Sequence, residues 1–240
     1  MPTSRRRLRR FVVLFLGRSG GTYLASSLAE HPMISVKTEP LGMLARQGAD
    51  HQVDWIRAFL RGPVIGRAGA VGFSTKIADI ARPDSFADEL RAVGASVIWL
   101  DRANEVKQTV SVIRARQLNE EIGHWNRRSP DHHLGETAVD PDDFATRLVQ
   151  VHERRRATRE YAESLGLALL RLDYRDLLLD PEAVFRQAHA HIGVRPLPVI
   201  GSTYKVTSDD LRESVSNFDE LRAPYVGTEY EAMFDEVLSV

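Results

Sequence analysis

The sequence predicts an α/β fold: a single domain with a mostly parallel central sheet flanked by helices and a P-loop-like phosphate-binding loop after the first strand. Three observations carry this. Short apolar runs of strand length alternate with longer segments of helical periodicity. Each run is bounded by Gly, charge or turn residues, as buried parallel strands are. The first run leads directly into Gly17-Arg18-Ser19-Gly20-Gly21-Thr22, and a helical pattern follows at once.

In chain order, the predicted strands are residues 11–16, 70–74, 96–100 and 167–172, with a shorter candidate at 33–36 after the Glu30-His31-Pro32 break. Helical patterns occupy 22–30, 53–60, 85–93, 105–116, 142–164 and 181–192. Ser85 opens a helix after Pro83-Asp84 and Gly94 ends it, while Gly166 closes the long helix before the next strand. Asp180-Pro181-Glu182 supplies an N-cap with proline in the first turn. From 118 to 141 the periodicity gives way to Gly, Pro, Asn, three histidines and a tryptophan, the composition of a lid or substrate loop. Beyond Val194 the chain reads as connection and short helix, with Ser208-Asp209-Asp210-Leu211 as a helix start. No repeat or linker divides the chain, so residues 1–10 form a basic tail and 11–240 one domain.

With 43% apolar residues the chain can bury a substantial core, and a formal charge of -1 gives no bulk basicity to attract nucleic acid. The absence of cysteine excludes disulfides, thiolate metal sites and a cysteine nucleophile. Arg5-Arg6-Arg7-Leu8-Arg9-Arg10 before an apolar run superficially resembles a signal peptide, but that run is too short for an h-region. No stretch has the length of a transmembrane segment. The expectation is a cytoplasmic protein; monomer and homodimer both stay open.

Residues 17–22 suit a phosphate. Glycines let the backbone turn its N–H groups toward one point, the helix N-terminus adds partial positive charge, and Arg18 adds a full one. The hydroxyls of Ser19 and Thr22 are further donors. This is not a Walker loop, because Gly21 stands where the lysine would be and the spacing is short; nor does it match the dinucleotide fingerprint. A nucleoside triphosphate with Mg²⁺ is therefore disfavoured. A second anion site is suggested where 96–100 runs into Asp101-Arg102-Ala103-Asn104. Arg102 ends a strand, where ligands of open α/β sheets bind, and Gln108 and Ser111 share one face of the next helix. By itself that signal is weak, and a solvated helix face is the better reading.

Together these segments carry a resemblance. Gly-Arg-Ser-Gly-Gly-Thr-Tyr-Leu at 17–24, then His31-Pro32 and Glu39-Pro40, resembles the start of the sulfotransferases that use 3′-phosphoadenosine-5′-phosphosulfate (PAPS). Leu100-Asp101-Arg102-Ala103-Asn104 with Gln108-Thr109-Val110-Ser111 is similar to that family's 3′-phosphate motif. The segment 172–181 resembles its later Tyr-Glu-Asp-Leu and Asp-Pro region, and 205–217 is similar to the C-terminal region of bacterial members. The motifs span nearly the whole chain in the family's order. The resemblance implies PAPS as co-substrate without a metal. Arg18, Ser19, Gly20, Gly21, Thr22 and Tyr23 would hold its 5′-phosphosulfate, Arg102 and Ser111 its 3′-phosphate, with Lys205 and Thr207 nearby. Two departures stand out: Ala103 separates Arg102 from Asn104, and the cytosolic eukaryotic enzymes' catalytic histidine has no match, the nearest segment being Ser74-Thr75-Lys76-Ile77.

Sulfuryl transfer needs a base for the acceptor hydroxyl and cations for the leaving phosphate. Arg18 is the leaving-group candidate. Glu39 is the candidate base, a role the resemblance to carbohydrate sulfotransferases implies, and Pro40 predicts an extended backbone for it; an exposed loop carboxylate is the plain alternative. Lys37 and Lys76 are candidate cations near the reacting centre, with surface lysine the plain reading of both. His31 reads as a helix C-terminal charge. His124, His132 and His133 match no zinc spacing and belong to the irregular loop; Arg154-Arg155-Arg156 with Arg159 read as a solvated face. The expected function is transfer of a sulfuryl group from PAPS to a hydroxyl of a small sugar, lipid or secondary metabolite, whose pocket would come from 41–62 and 118–141. A P-loop-type kinase and a non-catalytic nucleotide-binding regulator are the alternatives.

Overall fold

The structure, a computed structural model, describes residues 8–62, 68–122, 135–198 and 209–238. Its elements in chain order are β1 (Arg9–Phe15), α1 (Gly21–Ala29), β2 (Ile34–Thr38), α2 (Pro40–Ala45), α3 (Ala49–Arg61), β3 (Ala70–Thr75), α4 (Pro83–Val93), β4 (Ser96–Asp101), α5 (Glu105–Ile122), α6 (Pro141–Ser164), β5 (Leu169–Asp173), α7 (Tyr174–Leu179), α8 (Pro181–Ile192), α9 (Phe218–Arg222) and α10 (Glu231–Asp235). The chain groups into two compact units, one of Met1–Asp101 with Ala157–Ser202, the other of Arg102–Arg156 with Thr203–Val240.

The first unit is built on a five-stranded sheet in the order β2-β3-β1-β4-β5, with every pairing parallel. Alternate residues of each central strand enter opposite cores, as the two-residue period of a strand requires. On one face Val12, Leu14, Phe73, Val97 and Trp99 pack with Leu41, Ile56, Phe86 and Leu165. On the other, Phe11, Val13, Phe15, Ile98 and Leu100 pack with Leu24, Leu177 and Phe185. Coverage on both faces is why these strands read as unbroken apolar runs. The predicted α/β class and parallel sheet are thus observed.

The differences lie at local chemistry. Residues 33–36 form a real strand shifted to Ile34–Thr38, and α3 starts four residues before the expected 53, its first turn being polar. Pro40–Ala45 and Tyr174–Leu179 are short helices that the sequence reading missed. Pro40 occupies the first turn of α2, where its missing N–H costs nothing. α5 runs on to Ile122, into the segment expected to be irregular; residues 123–134 of that segment lie outside the described residues. His31 is not an exposed helix-end charge. It is buried, its Nδ1 accepts from the Met33 N–H at 3.0 Å, and Nε2 therefore carries the proton donated to the Arg195 carbonyl at 3.0 Å.

The second unit packs Val106, Val110, Ile113, Phe144, Leu148, Phe218 and Phe234 around one core. Asn104 caps α5 by accepting the Lys107 N–H at 2.8 Å, and its amide donates to the Met233 carbonyl and to Glu236 Oε2 at 2.8 and 2.6 Å. Lys107 is buried against Asp209, which also accepts the Leu238 N–H at 2.7 Å. Among the described residues no helix is long and apolar enough to cross a membrane.

Two stability tests follow from these buried polar groups. Lys107 and Asp209 side chains are 4% and 7% exposed, so Lys107→Met strands a buried carboxylate and should cost about 3–5 kcal/mol in urea unfolding. Adding Asp209→Asn should recover part of that loss; a Lys107→Met cost below about 1 kcal/mol would contradict the pairing. His189 is buried and its ring lies 4.8 Å from that of His31; burial, aided by His31, lowers its pKa from 6.5 to about 4. A lowered folded pKa means that the unfolded chain binds the proton first. The stability from neutral His189 is present above pH 6.5 and is lost as pH falls toward 4. His189→Leu should flatten this part of the stability–pH curve, and an unchanged slope would show that other groups set it.

Candidate active site

The loop after β1 is closed on itself. The Ser19 N–H and hydroxyl both donate to the Leu16 carbonyl, at 3.2 and 2.6 Å, and Ser19 is fully buried. Its hydroxyl therefore shapes the turn. Arg18 and Gly20 have positive φ, 67° and 84°, the alternating backbone that gathers amides around an anion. Gly20 is also the N-cap of α1, and a Cβ on it would lie 2.9 Å from the Tyr174 ring. At Gly21 a Cβ would sit 2.3 Å from the Phe15 ring. No side chain fits there, which explains in packing terms why the Walker lysine position is glycine. Arg18 keeps solvent access, yet the protein around it partly desolvates its guanidinium and lowers its pKa, an effect that Tyr174 offsets. The Tyr23 ring packs edge-on against Phe185 of α8 at 6.2 Å.

Glu39 directly follows β2 and Lys76 directly follows β3. Their side chains meet: Lys76 Nζ lies 2.7 Å from Glu39 Oε2 and 3.3 Å from Asp79 Oδ2. Burial works to lower the Lys76 pKa, but the hydrogen bond and charge of Glu39, with Asp79, outweigh it and the net shift is upward. The other Glu39 oxygen, Oε1, accepts the Thr22 hydroxyl at 2.8 Å. Arg18 with Thr22, Glu39, and Lys76 thus come from three segments that each follow a strand at one edge of the sheet. Lys37, the other candidate cation, lies exposed on β2.

The backbone at Glu39 corrects the expectation of an extended conformation. Its φ and ψ are 47° and 46°, left-handed, and with Arg18 it is one of two non-glycine residues with positive φ among the described residues. Proline at 40 disfavours the right-handed helical region for residue 39 but leaves this one open. The conformation is held because the Glu39 N–H donates to the Ser74 carbonyl at 3.1 Å and to Ser74 Oγ at 3.2 Å. Strain of this kind persists only where the surroundings overdetermine it, and it concentrates at functional sites.

Two supporting residues were missed from sequence. Gln52, fully buried, donates to the carbonyls of Leu41 and Asp79 at 3.0 and 2.7 Å and accepts the Ala81 N–H at 2.8 Å. It ties the turn after Glu39 to the turn after Lys76. The available signal was its position four and eight residues before Ile56 and Leu60, on the apolar stripe of α3. Asp79, in the 3-10 turn Ile77–Asp79, accepts a second hydrogen bond from Lys76 Nζ.

The ends of β4 and β5 carry Asp101 and Asp173, partners in register. Asp101 is buried and pairs with Arg171 at 2.7 Å, whose guanidinium lies 4.8 Å from the centre of the Trp99 ring. Burial raises the Asp173 pKa, although its carboxylate accepts the Arg175 N–H at 2.7 Å as the cap of α7. In the second unit Arg102 precedes α5, whose Gln108 and Ser111 lie three residues apart, Gln108 buried and Ser111 partly exposed. Lys205, Thr207, His124, His132 and His133 lie outside the described residues. Among the described residues no cluster of three or more His, Asp or Glu side chains could hold a metal ion.

No protein-family model matches the chain. Nodulation protein H of Rhizobium tropici is 27% identical over 244 aligned residues, covering 94% of this chain and 92% of that protein. The mouse sulfotransferase SULT7A1 complexed with PAP superposes with a TM-score of 0.53 at 11% identity, covering 95% of this chain and 89% of that one. The sulfotransferase domain from the curacin biosynthetic pathway gives 0.51 at 15% identity, over 95% and 90%. At such identities the structures speak for the fold. With that fold, a relative aligned over most of both chains and the motifs in the family's order, the chain is similar to the sulfotransferases.

Proposed function

We propose that this protein transfers a sulfuryl group from PAPS to a hydroxyl of a small acceptor, with Glu39 as general base, in the cytoplasm. The observation that carries the reading is the meeting of Thr22, Glu39 and Lys76 beside the Arg18 loop. A carboxylate, two cations and a hydroxyl donor stand where an anion-binding loop opens. The left-handed Arg18 and Gly20 and the glycine at 21, packed on the Tyr174 and Phe15 rings, suit a loop whose amides take a phosphate. When bound, PAPS supplies an activated sulfuryl group whose S–O bond to the 5′-phosphate breaks as the acceptor oxygen bonds to sulfur.

The residues divide the work. Glu39 takes the acceptor's proton as its oxygen attacks. Arg18, with the loop amides and the α1 N-terminus, offsets the charge that grows on the departing phosphate. Lys76, kept protonated by Glu39 and Asp79, holds the carboxylate aimed. Arg102 and Ser111 take the 3′-phosphate, and Tyr23 backs the loop through α1.

The direct experiment is an acceptor screen with labelled PAPS over sugar, lipid and secondary-metabolite alcohols; label retained in the donor across all classes would contradict the reading. With a responsive acceptor, Glu39→Gln should lower turnover roughly 100-fold or more while leaving affinity for 3′-phosphoadenosine-5′-phosphate (PAP) within about two-fold. An undiminished rate would move the base elsewhere. Arg102→Ala should weaken PAP about 10- to 150-fold in calorimetry, the loss of one charge-assisted hydrogen bond or more. Unchanged affinity would remove Arg102 from the 3′-phosphate site.

A further inference from the structure

Thr22 serves two parts of the site with a single proton. A hydroxyl donates one hydrogen bond at a time. Here that bond goes to Glu39 Oε1 at 2.8 Å, while Lys76 holds Oε2 at 2.7 Å. Thr22 is the second residue of α1, immediately behind the Arg18 loop and at the positive end of the helix dipole, where an incoming phosphate collects. As found, both oxygens of the base already accept a hydrogen bond, Oε1 from Thr22 and Oε2 from Lys76.

We propose that Thr22 is a positioning residue that exchanges its hydroxyl between Glu39 and the donor's 5′-phosphate, so that donor binding takes one of the two hydrogen bonds off the base. The inference rests on the sulfotransferase reading above. Without donor, the Thr22 hydroxyl satisfies Glu39 Oε1. With donor, a phosphate oxygen near Arg18 and the α1 amides competes for the same proton, and Thr22 turns to it. Oε1 then loses the Thr22 hydrogen bond, while Lys76, also bonded to Asp79, continues to hold Oε2. The base thereby loses the Thr22 hydrogen bond when a nucleotide 5′-phosphate occupies the loop.

A double-mutant cycle on PAP binding tests this with no acceptor required. PAP affinity is measured by calorimetry for wild type, Thr22→Val, Glu39→Ala and the double variant. Removing Glu39 also removes a negative charge and frees Lys76, but those effects are common to both backgrounds. The exchange predicts that Glu39→Ala strengthens PAP binding about five-fold more with Thr22 present than with valine there, the size of a net hydrogen bond of about 1 kcal/mol. Thr22→Ser should behave as wild type in both backgrounds. Equal gains in the two backgrounds overturn the exchange while leaving the donor reading intact. Failure of wild type to bind PAP overturns both. Should Glu39→Ala fail to fold, difference infrared spectra of protein labelled with ¹³C-glutamate carry the same test using Thr22→Val alone. The carboxylate bands that distinguish wild type from Thr22→Val should coincide once PAP is added, and a distinction that persists overturns the proposal.

Discussion

The candidate site depends on one constraint: β2, β3 and β1 are adjacent, parallel and level at their carboxyl ends. Thr38 pairs with Ser74, and Leu14 with Thr75, so the three strands finish together. Parallel strands release their following loops at the same edge, which is why ligands of open α/β sheets gather there. Arg18 and Thr22, Glu39, and Lys76 each follow one of those strands closely. The sheet thereby brings together residues that the chain keeps far apart. Its rigidity comes from the two apolar cores that press on opposite faces of the same strands.

Upon that frame the local chemistry is unusually constrained. The two non-glycine residues with positive φ among the described residues are Arg18 and Glu39, the proposed leaving-group cation and base. Each is fixed by bonds from outside itself: the Arg18 turn by Ser19 on Leu16, Glu39 by Ser74 of the neighbouring strand. Gln52 then locks the segments following Glu39 and Lys76 to each other. Catalytic geometry set this way rests on backbone and buried amides, and long side chains need only make the final contact.

Much of this was legible in the sequence. The central strands were found to within a residue or two because their burial on both faces makes them continuous apolar runs. The loop at 17–22 was legible because its chemistry is contiguous. What was hidden depends on tertiary contact. Glu39 was expected to be extended because proline follows it, but its left-handed conformation is held by the hydrogen bonds its N–H donates to Ser74, on a strand 35 residues away. α2 and α7, at six residues each, are shorter than periodicity can register. Ser19 looked like a phosphate donor, yet whether a loop hydroxyl turns inward is decided by the fold of the turn. Gln52 gave only the signal of a polar residue on an apolar stripe, and Asp79 gave none.

The account stands or falls on what the loop holds. Isothermal calorimetry with PAP, compared with ATP and Mg²⁺, tests it most directly. The structure's glycine cradle, Arg18 and the absence of space for a Walker lysine at Gly21 predict metal-independent binding of PAP and no tight binding of ATP with Mg²⁺. Tight Mg²⁺-dependent ATP binding with no affinity for PAP would contradict the account.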